Sequence, residues 1–265
     1  LGVFVIPIFS FNLQAQEESI PSRYVQTTSA DFNSSGNYTG TESYIILPAD
    51  KPDGYQIVNP NVIGVATNGD YLTSCQNMFR DNPSLYLELD YLDTSNVTTM
   101  RSMFNGSQAT TLDLSSFNTS KVTDMVAMFR DSEVTTLDLS NFNTSNVTTM
   151  GSMFYNSEAT TLDLSSFDTS NVTDMCYMFQ YSQVTTLDLS SFNTSNVTTM
   201  KQMFTSSQVT ILDLSSFDTS NVTDMSLMFR DSQATIGYAR TQADADNFNN
   251  SSDKPITLVF VSIQQ

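Results

Sequence analysis

One unit of 25 residues recurs along this chain with no insertion or deletion between copies. Its clearest marks are Met-Phe pairs at Met78-Phe79, Met103-Phe104, Met128-Phe129, Met153-Phe154, Met178-Phe179, Met203-Phe204 and Met228-Phe229. A second methionine stands three residues ahead of six of these pairs, at Met100, Met125, Met150, Met175, Met200 and Met225. The two series hold all 13 methionines of the protein. A fixed period of this length implies a repeat array in which each unit packs only on its neighbours. A solenoid is therefore expected rather than a spherical core.

The type unit, Leu112 to Thr136, reads LDLSSFNTSKVTDMVAMFRDSEVTT. Leu112 and Leu114 alternate with Asp113 and Ser115, the period of a short strand with one buried face. Phe117 then turns inward. Val122, Met125, Met128 and Phe129 follow at i, i+3, i+6 and i+7, a spacing that predicts a helix with one apolar stripe. Asn118, Thr119 and Ser120 stand ready to cap it. The expectation is an α/β solenoid of strand-turn-helix coils with a parallel sheet on one face. Asp124, Asp174 and Asp224 alternate with Thr99, Thr149 and Thr199, so the copied unit has the form of a 50-residue pair.

The array divides the chain. Residues 1–15 open with LGVFVIPIFSFNL, an apolar run followed by polar residues, and read as the remnant of a secretory signal peptide cut near Ala15. Residues 16–61 read as a linker and N-terminal cap, and residues 62–236 as seven coils, the first of them degraded. Residues 237–265 form a C-terminal cap, with a strand at Gly237 to Ala239 and a short helix capped by Thr241. A closing strand is expected from Ile256 to Val261. No stretch is long enough to span a bilayer as a helix.

Composition removes several classes of function. Acidic residues number 28 against 10 basic ones, for a net charge of -18, which opposes binding to nucleic acid or an anionic bilayer. Histidine is absent, so no Ser-His or Cys-His nucleophile and no His-ligated metal is available. A carboxylate enzyme would need a unique acid pair, whereas the array supplies repeated ones. No catalytic residue, cofactor or metal is expected. Asp244 and Asp246 lack the glycine and terminal glutamate of a calcium loop. Cys75 and Cys176 lie four coils apart, about 20 Å at roughly 4.8 Å per coil, beyond the reach of a disulfide. Cys75 falls in the Met100 column as a buried substitute.

Three polar columns mark the exposed strand face. Thr111, Thr136, Thr161 and Thr186 form one, ending at Ile211. Glu88, Asp113, Asp138, Asp163, Asp188 and Asp213 form the second. Ser115, Ser140, Ser165, Ser190 and Ser215 form the third. Neighbouring carboxylates about 5 Å apart repel by roughly 0.8 kcal/mol in water, so the ladder invites cations or a basic partner, while copying of the unit explains the same regularity. Asp113, Asp138, Asp163, Asp188 and Asp213, with Thr136, Thr161 and Thr186, are the candidate partner-binding residues. Pairs such as Cys176-Tyr177 and Lys201-Gln202 vary freely on the helical side, which reads as solvent-facing neutrality in preference to the alternative, specificity determination. The sequons at Asn96, Asn146 and Asn171 repeat with the unit and carry little weight as glycosylation acceptors.

The stretches Leu162 to Phe179 and Leu212 to Phe229, of the form LDLSSFDTSNVTDMSxMF, resemble the leucine-rich repeats of BspA-like bacterial surface proteins and of mycoplasma surface lipoproteins. The tail from Gly237 to Asn249 resembles the segment that closes the array in those proteins. The resemblance spans about residues 62–261. It implies a leucine-rich-repeat solenoid, export to the cell surface and a role in adhesion or host contact. The chain is expected to be a secreted or surface-displayed monomer whose partner is a host or extracellular-matrix protein or glycan. It implies no catalytic residue. A structural, ice-facing or mineral-facing solenoid is the alternative reading.

Overall fold

The computed structural model describes residues 19–50, 54–251 and 253–263. The signal-peptide expectation on residues 1–15 lies outside them. The chain winds as a parallel β-solenoid with little helix. Its strands are short: β1 (Val25–Gln26), β2 (Tyr44–Ile46), β3 (Gly64–Ala66), β4 (Tyr86–Leu87), β5 (Thr111–Leu112), β6 (Thr136–Leu137), β7 (Thr161–Leu162), β8 (Ile211–Leu214), β9 (Ile236–Ala239) and β10 (Val259–Ser262). They form three parallel sheets, β1-β2-β3, β4-β5-β6-β7 and β8-β9-β10. A bridge between Gly64 and Glu88 joins the first two. The segment before the repeats thus contributes β1 and β2 to the stack, with Val25 beside Ile45 and Ile45 beside Val65.

Most strands of the array have two residues where alternation predicted four. Asp113 accepts a hydrogen bond from the Ser115 amide at 3.0 Å, and the copies at Asp138, Asp163 and Asp188 do the same. Such side-chain turns compete with strand pairing. Asp213 accepts from the Ser215 amide in the same way at 3.0 Å, yet β8 runs for four residues, paired along its length with β9, in which Tyr238 replaces the aspartate.

The helix expected in each coil does not form, and the α/β strand-turn-helix architecture is corrected accordingly. Among the described residues the one α-helix is α1 (Gln242–Asn249), in the closing segment. In the type coil the Met125 amide donates to the carbonyl of Thr149, one coil ahead, at 3.1 Å. Ala127 and Phe129 donate in the same way to Gly151 and Met153, both at 2.9 Å. The intervening amides close tight turns within the coil, Met128 to Met125 and Arg130 to Ala127. Ala127 and Asp131 have φ of 57° and 52°, and the equivalent positions repeat this around the array. Positive φ at the third residue of a turn belongs to type II geometry and interrupts a right-handed helix. A three-residue turn places side chains inward at i and i+3 just as a helix does, so apolar spacing does not separate the two. The Val-Thr-Asp and Val-Thr-Thr triplets that lead into the segment are weak helix formers. They instead build a second ladder of parallel bridges through Ser74, Thr99, Asp124, Thr149, Asp174, Thr199 and Asp224.

The core is a set of columns running through the stack. The phenylalanines from Phe79 to Phe229 lie nearly parallel, with ring centroids 5.4 to 6.1 Å apart, within the range of favourable offset stacking. The Met103 column is buried beside them, as is the Met100 column up to Met200, with Met225 half-buried at its end, and Cys75 is buried in register with Met100. A hydroxyl column is also buried. The Thr144 hydroxyl donates to the Asp168 carbonyl and accepts from the Asp168 amide, both at 2.9 Å. Thr94, Thr119 and Thr194 repeat the exchange. At Thr219 no further coil follows. Asp244 of α1 accepts from the Thr219 hydroxyl and backbone amide at 2.7 and 3.0 Å, and the Asn247 side-chain carboxamide donates to the same hydroxyl at 2.8 Å. Helix α1, N-capped by Thr241, therefore presents the donor and acceptor that the missing coil would have offered. Phe248 and Phe260 close the phenylalanine column against Phe229.

Candidate binding face

The short strands leave Thr136, Thr161 and Thr186 exposed in one line, with Thr136 directly beside Thr161. Asp113, Asp138, Asp163, Asp188 and Asp213 are exposed in the next line. The structure brings all eight onto one face. The strand ladder itself lapses at Thr186 and Leu187, which belong to no strand. Two shallow depressions lie on this face. One of about 430 Å³ is lined by Tyr86, Thr111, Asp113 and Asp138. The other, of about 410 Å³, is lined by Thr136, Asp138, Thr161, Asp163 and Thr186.

Among the described residues none of the five aspartates has an ion-pair partner. Each is held locally instead. The Ser115 hydroxyl and amide keep the Asp113 carboxyl below the usual aspartate range, and Ser140, Ser165 and Ser190 do so for Asp138, Asp163 and Asp188. These four serines therefore stabilise the charge of their aspartates, which stay ionised near neutrality. Glu88, at the head of the row, differs. It is paired with Arg23 and accepts from the Tyr24 hydroxyl at 2.7 Å, so the N-terminal segment neutralises it.

The C-terminal end of the face changes character in a way the sequence columns only hinted at. Ile211, Ile236 and Val259 stand side by side in register on β8, β9 and β10. They are 50%, 44% and 53% exposed, continuing the threonine line as an apolar one. Ile211 reads in sequence as an interruption. The period places Ile236 beside it, 25 residues on, but the join to Val259 depends on how β10 pairs, which the period cannot supply because β10 lies outside it.

The second ladder has its own charge arrangement. Asp124 pairs with Arg101 at 2.8 Å and accepts from the Thr149 hydroxyl at 3.3 Å. The sequon asparagines are engaged as well: Asn146, Asn171, Asn196 and Asn221 each donate to a serine carbonyl of the preceding coil at 2.7 to 2.8 Å. Their repetition follows from coil-to-coil bonding. Among the described residues no cluster of three or more acidic or cysteine side chains could hold a metal, and no helix is long and apolar enough to cross a membrane.

A 25-residue parallel coil with buried Met and Phe columns and a closing helix defines a class of repeat β-solenoid. Comparison with known families places residues 73–186 and 157–262 in the family described as "Mycoplasma protein of unknown function, DUF285". These matches together cover most of the chain, which belongs to that family. Comparisons with curated proteins and with solved structures return no match.

Proposed function

We propose that this chain is a secreted or cell-surface repeat protein, akin to the BspA-like leucine-rich-repeat proteins, that mediates adhesion by binding a host or matrix macromolecule through its strand face. One observation carries the reading: an exposed carboxylate row, without ion pairs among the described residues, lies beside a polar line that ends in the exposed apolar trio Ile211, Ile236 and Val259. Contiguous exposed apolar residues rimmed by polar ones mark interaction surfaces. The row is long and its depressions shallow, which suits many weak contacts to an extended partner. The aspartates occupy equivalent surroundings, so none is singled out as an acid or base, and the protein is read as non-enzymatic. The fit is to a basic or mixed macromolecule.

Capture of the chain on immobilised matrix and mucosal proteins, at low and high salt, tests this. The expected result is binding that weakens with salt and drops at least about tenfold when Asp113, Asp138, Asp163, Asp188 and Asp213 become asparagine. Ile236→Ser should weaken the salt-resistant remainder. Absence of binding at either salt, or binding untouched by all these changes, contradicts the reading.

A further inference from the structure

Away from the strand face, on the turn side of the coils, two neighbouring copies bring three tyrosines together. Tyr155 comes from one coil, and Tyr177 and Tyr181 from the next. The rings of Tyr155 and Tyr181 lie 5.5 Å apart and nearly perpendicular, at 83°. Arg130 of the preceding coil covers Tyr155 with its guanidinium 4.1 Å from the ring centre. Tyr155, Tyr177, Gln180, Gln202 and Arg130 line a depression of about 340 Å³, near the lower end of the roughly 300–1,000 Å³ typical of small-ligand sites.

Gln180 is the telling residue. It is 5% exposed, yet among the described residues its carboxamide makes no hydrogen bond, although it lines the depression. Its side-chain nitrogen and oxygen are not among the fully enclosed unpaired polar atoms, so they open into the depression and offer two donors and an acceptor there. The repeat does not demand a glutamine there: equivalent positions hold Arg80, Asn105, Arg130, Tyr155, Thr205 and Arg230.

We propose that this depression binds a neutral saccharide, as a terminal sugar or disaccharide. A sugar ring offers apolar C–H groups to the tyrosine rings that line the depression, Tyr155 and Tyr177, and vicinal hydroxyls that both donate and accept, matching the carboxamides of Gln180 and Gln202. An acidic sugar fits less well. The Arg130 guanidinium is already engaged by Asp131 at 3.0 Å as well as by Tyr155, and the chain's net charge of -18 opposes anions. The proposal does not rest on the strand-face reading.

The test uses the full chain on a printed array of neutral and sialylated oligosaccharides, with proline-rich peptides as controls and hits titrated in solution. A neutral oligosaccharide should bind. Tyr155→Ala and Tyr177→Ala should each weaken it by roughly tenfold, the upper range for loss of an aromatic contact. Gln180→Leu should weaken it too without lowering the thermal midpoint, because the unpartnered amide gives the fold nothing. The five-asparagine variant of the strand face should bind the sugar unchanged. The proposal is overturned if no neutral saccharide binds, if only sialylated glycans or peptides bind, or if the Tyr155→Ala, Tyr177→Ala double variant binds as well as the parent.

Discussion

Ser102 has a φ of 54°, in the region that L side chains disfavour, and the same bend recurs at Ala127, Ser152 and Gln202. Stacking imposes it, because the turn must close while its alternate amides reach the next coil. β-Branched residues tolerate this conformation worst. Ser102→Val should therefore lower stability by about 1–2 kcal/mol, while Ser102→Gly should not lower it, as read from urea midpoints. A larger loss with glycine than with valine would contradict the assigned turn. The aspartate row makes a second prediction at this scale. Asp113, Asp138, Asp163 and Asp188 are held below the ordinary aspartate pKa of about 3.9 by their serines. The unfolded chain thus takes up protons first, so their contribution is whole above that pKa and is lost as pH falls through the folded values. The thermal midpoint should hold from about pH 7 to 5 and fall below about pH 4. Changing these four to asparagine should flatten the acid limb of that curve.

At the scale of the element, the closing segment works by standing in for an absent coil. Gly237 occupies the position that Leu212 fills one coil earlier, and a Cβ there would lie 2.3 Å from the Phe260 ring. Restoring the repeat's leucine with Gly237→Leu should consequently destabilise the protein, by about 1–3 kcal/mol for an overpacked core, with β10 losing hydrogen-exchange protection first. A stabilising effect would show that Phe260 does not cover this site. What could be read from sequence divides along the same lines. The stacked Met and Phe columns were legible because a fixed period forces equivalent residues into register. Helix α1 was legible because Thr241 and Asp244 have capping chemistry. The turn segment was misread as helix because Val122, Met125, Met128 and Phe129 satisfy both geometries, and the difference lies in where the Met125 amide points. The eight strand-face residues followed from alternation. The cluster of Tyr155, Tyr177 and Gln180 did not, since variable positions resemble neutral ones until coils are laid side by side. The signal was present all the same: Tyr155 and Gln180 are 25 residues apart, hence adjacent in the stack.

For the whole molecule, length is a matter of coil number, but the electrostatics have a two-coil period. Asp124 and Asp174 are separated by Thr149 on the second ladder, which spaces the carboxylates two coils apart. Excising Leu137 to Thr186, two coils, keeps the alternation and should leave a cooperatively folded protein. Excising Leu137 to Thr161, one coil, sets Asp124 beside Asp174 and should cost roughly 1 kcal/mol more at neutral pH and low salt, recovered at high salt. Equal stability of the two excisions at low salt would place those carboxylates elsewhere. The most direct measurement concerns the bonds between coils: scalar coupling across hydrogen bonds in an isotope-labelled chain. Stacked coils predict that the Met125 amide nitrogen couples to the carbonyl of Thr149, whose oxygen lies 3.1 Å away. Coupling of that nitrogen to the Lys121 carbonyl, four residues back as in a helix, would contradict the architecture.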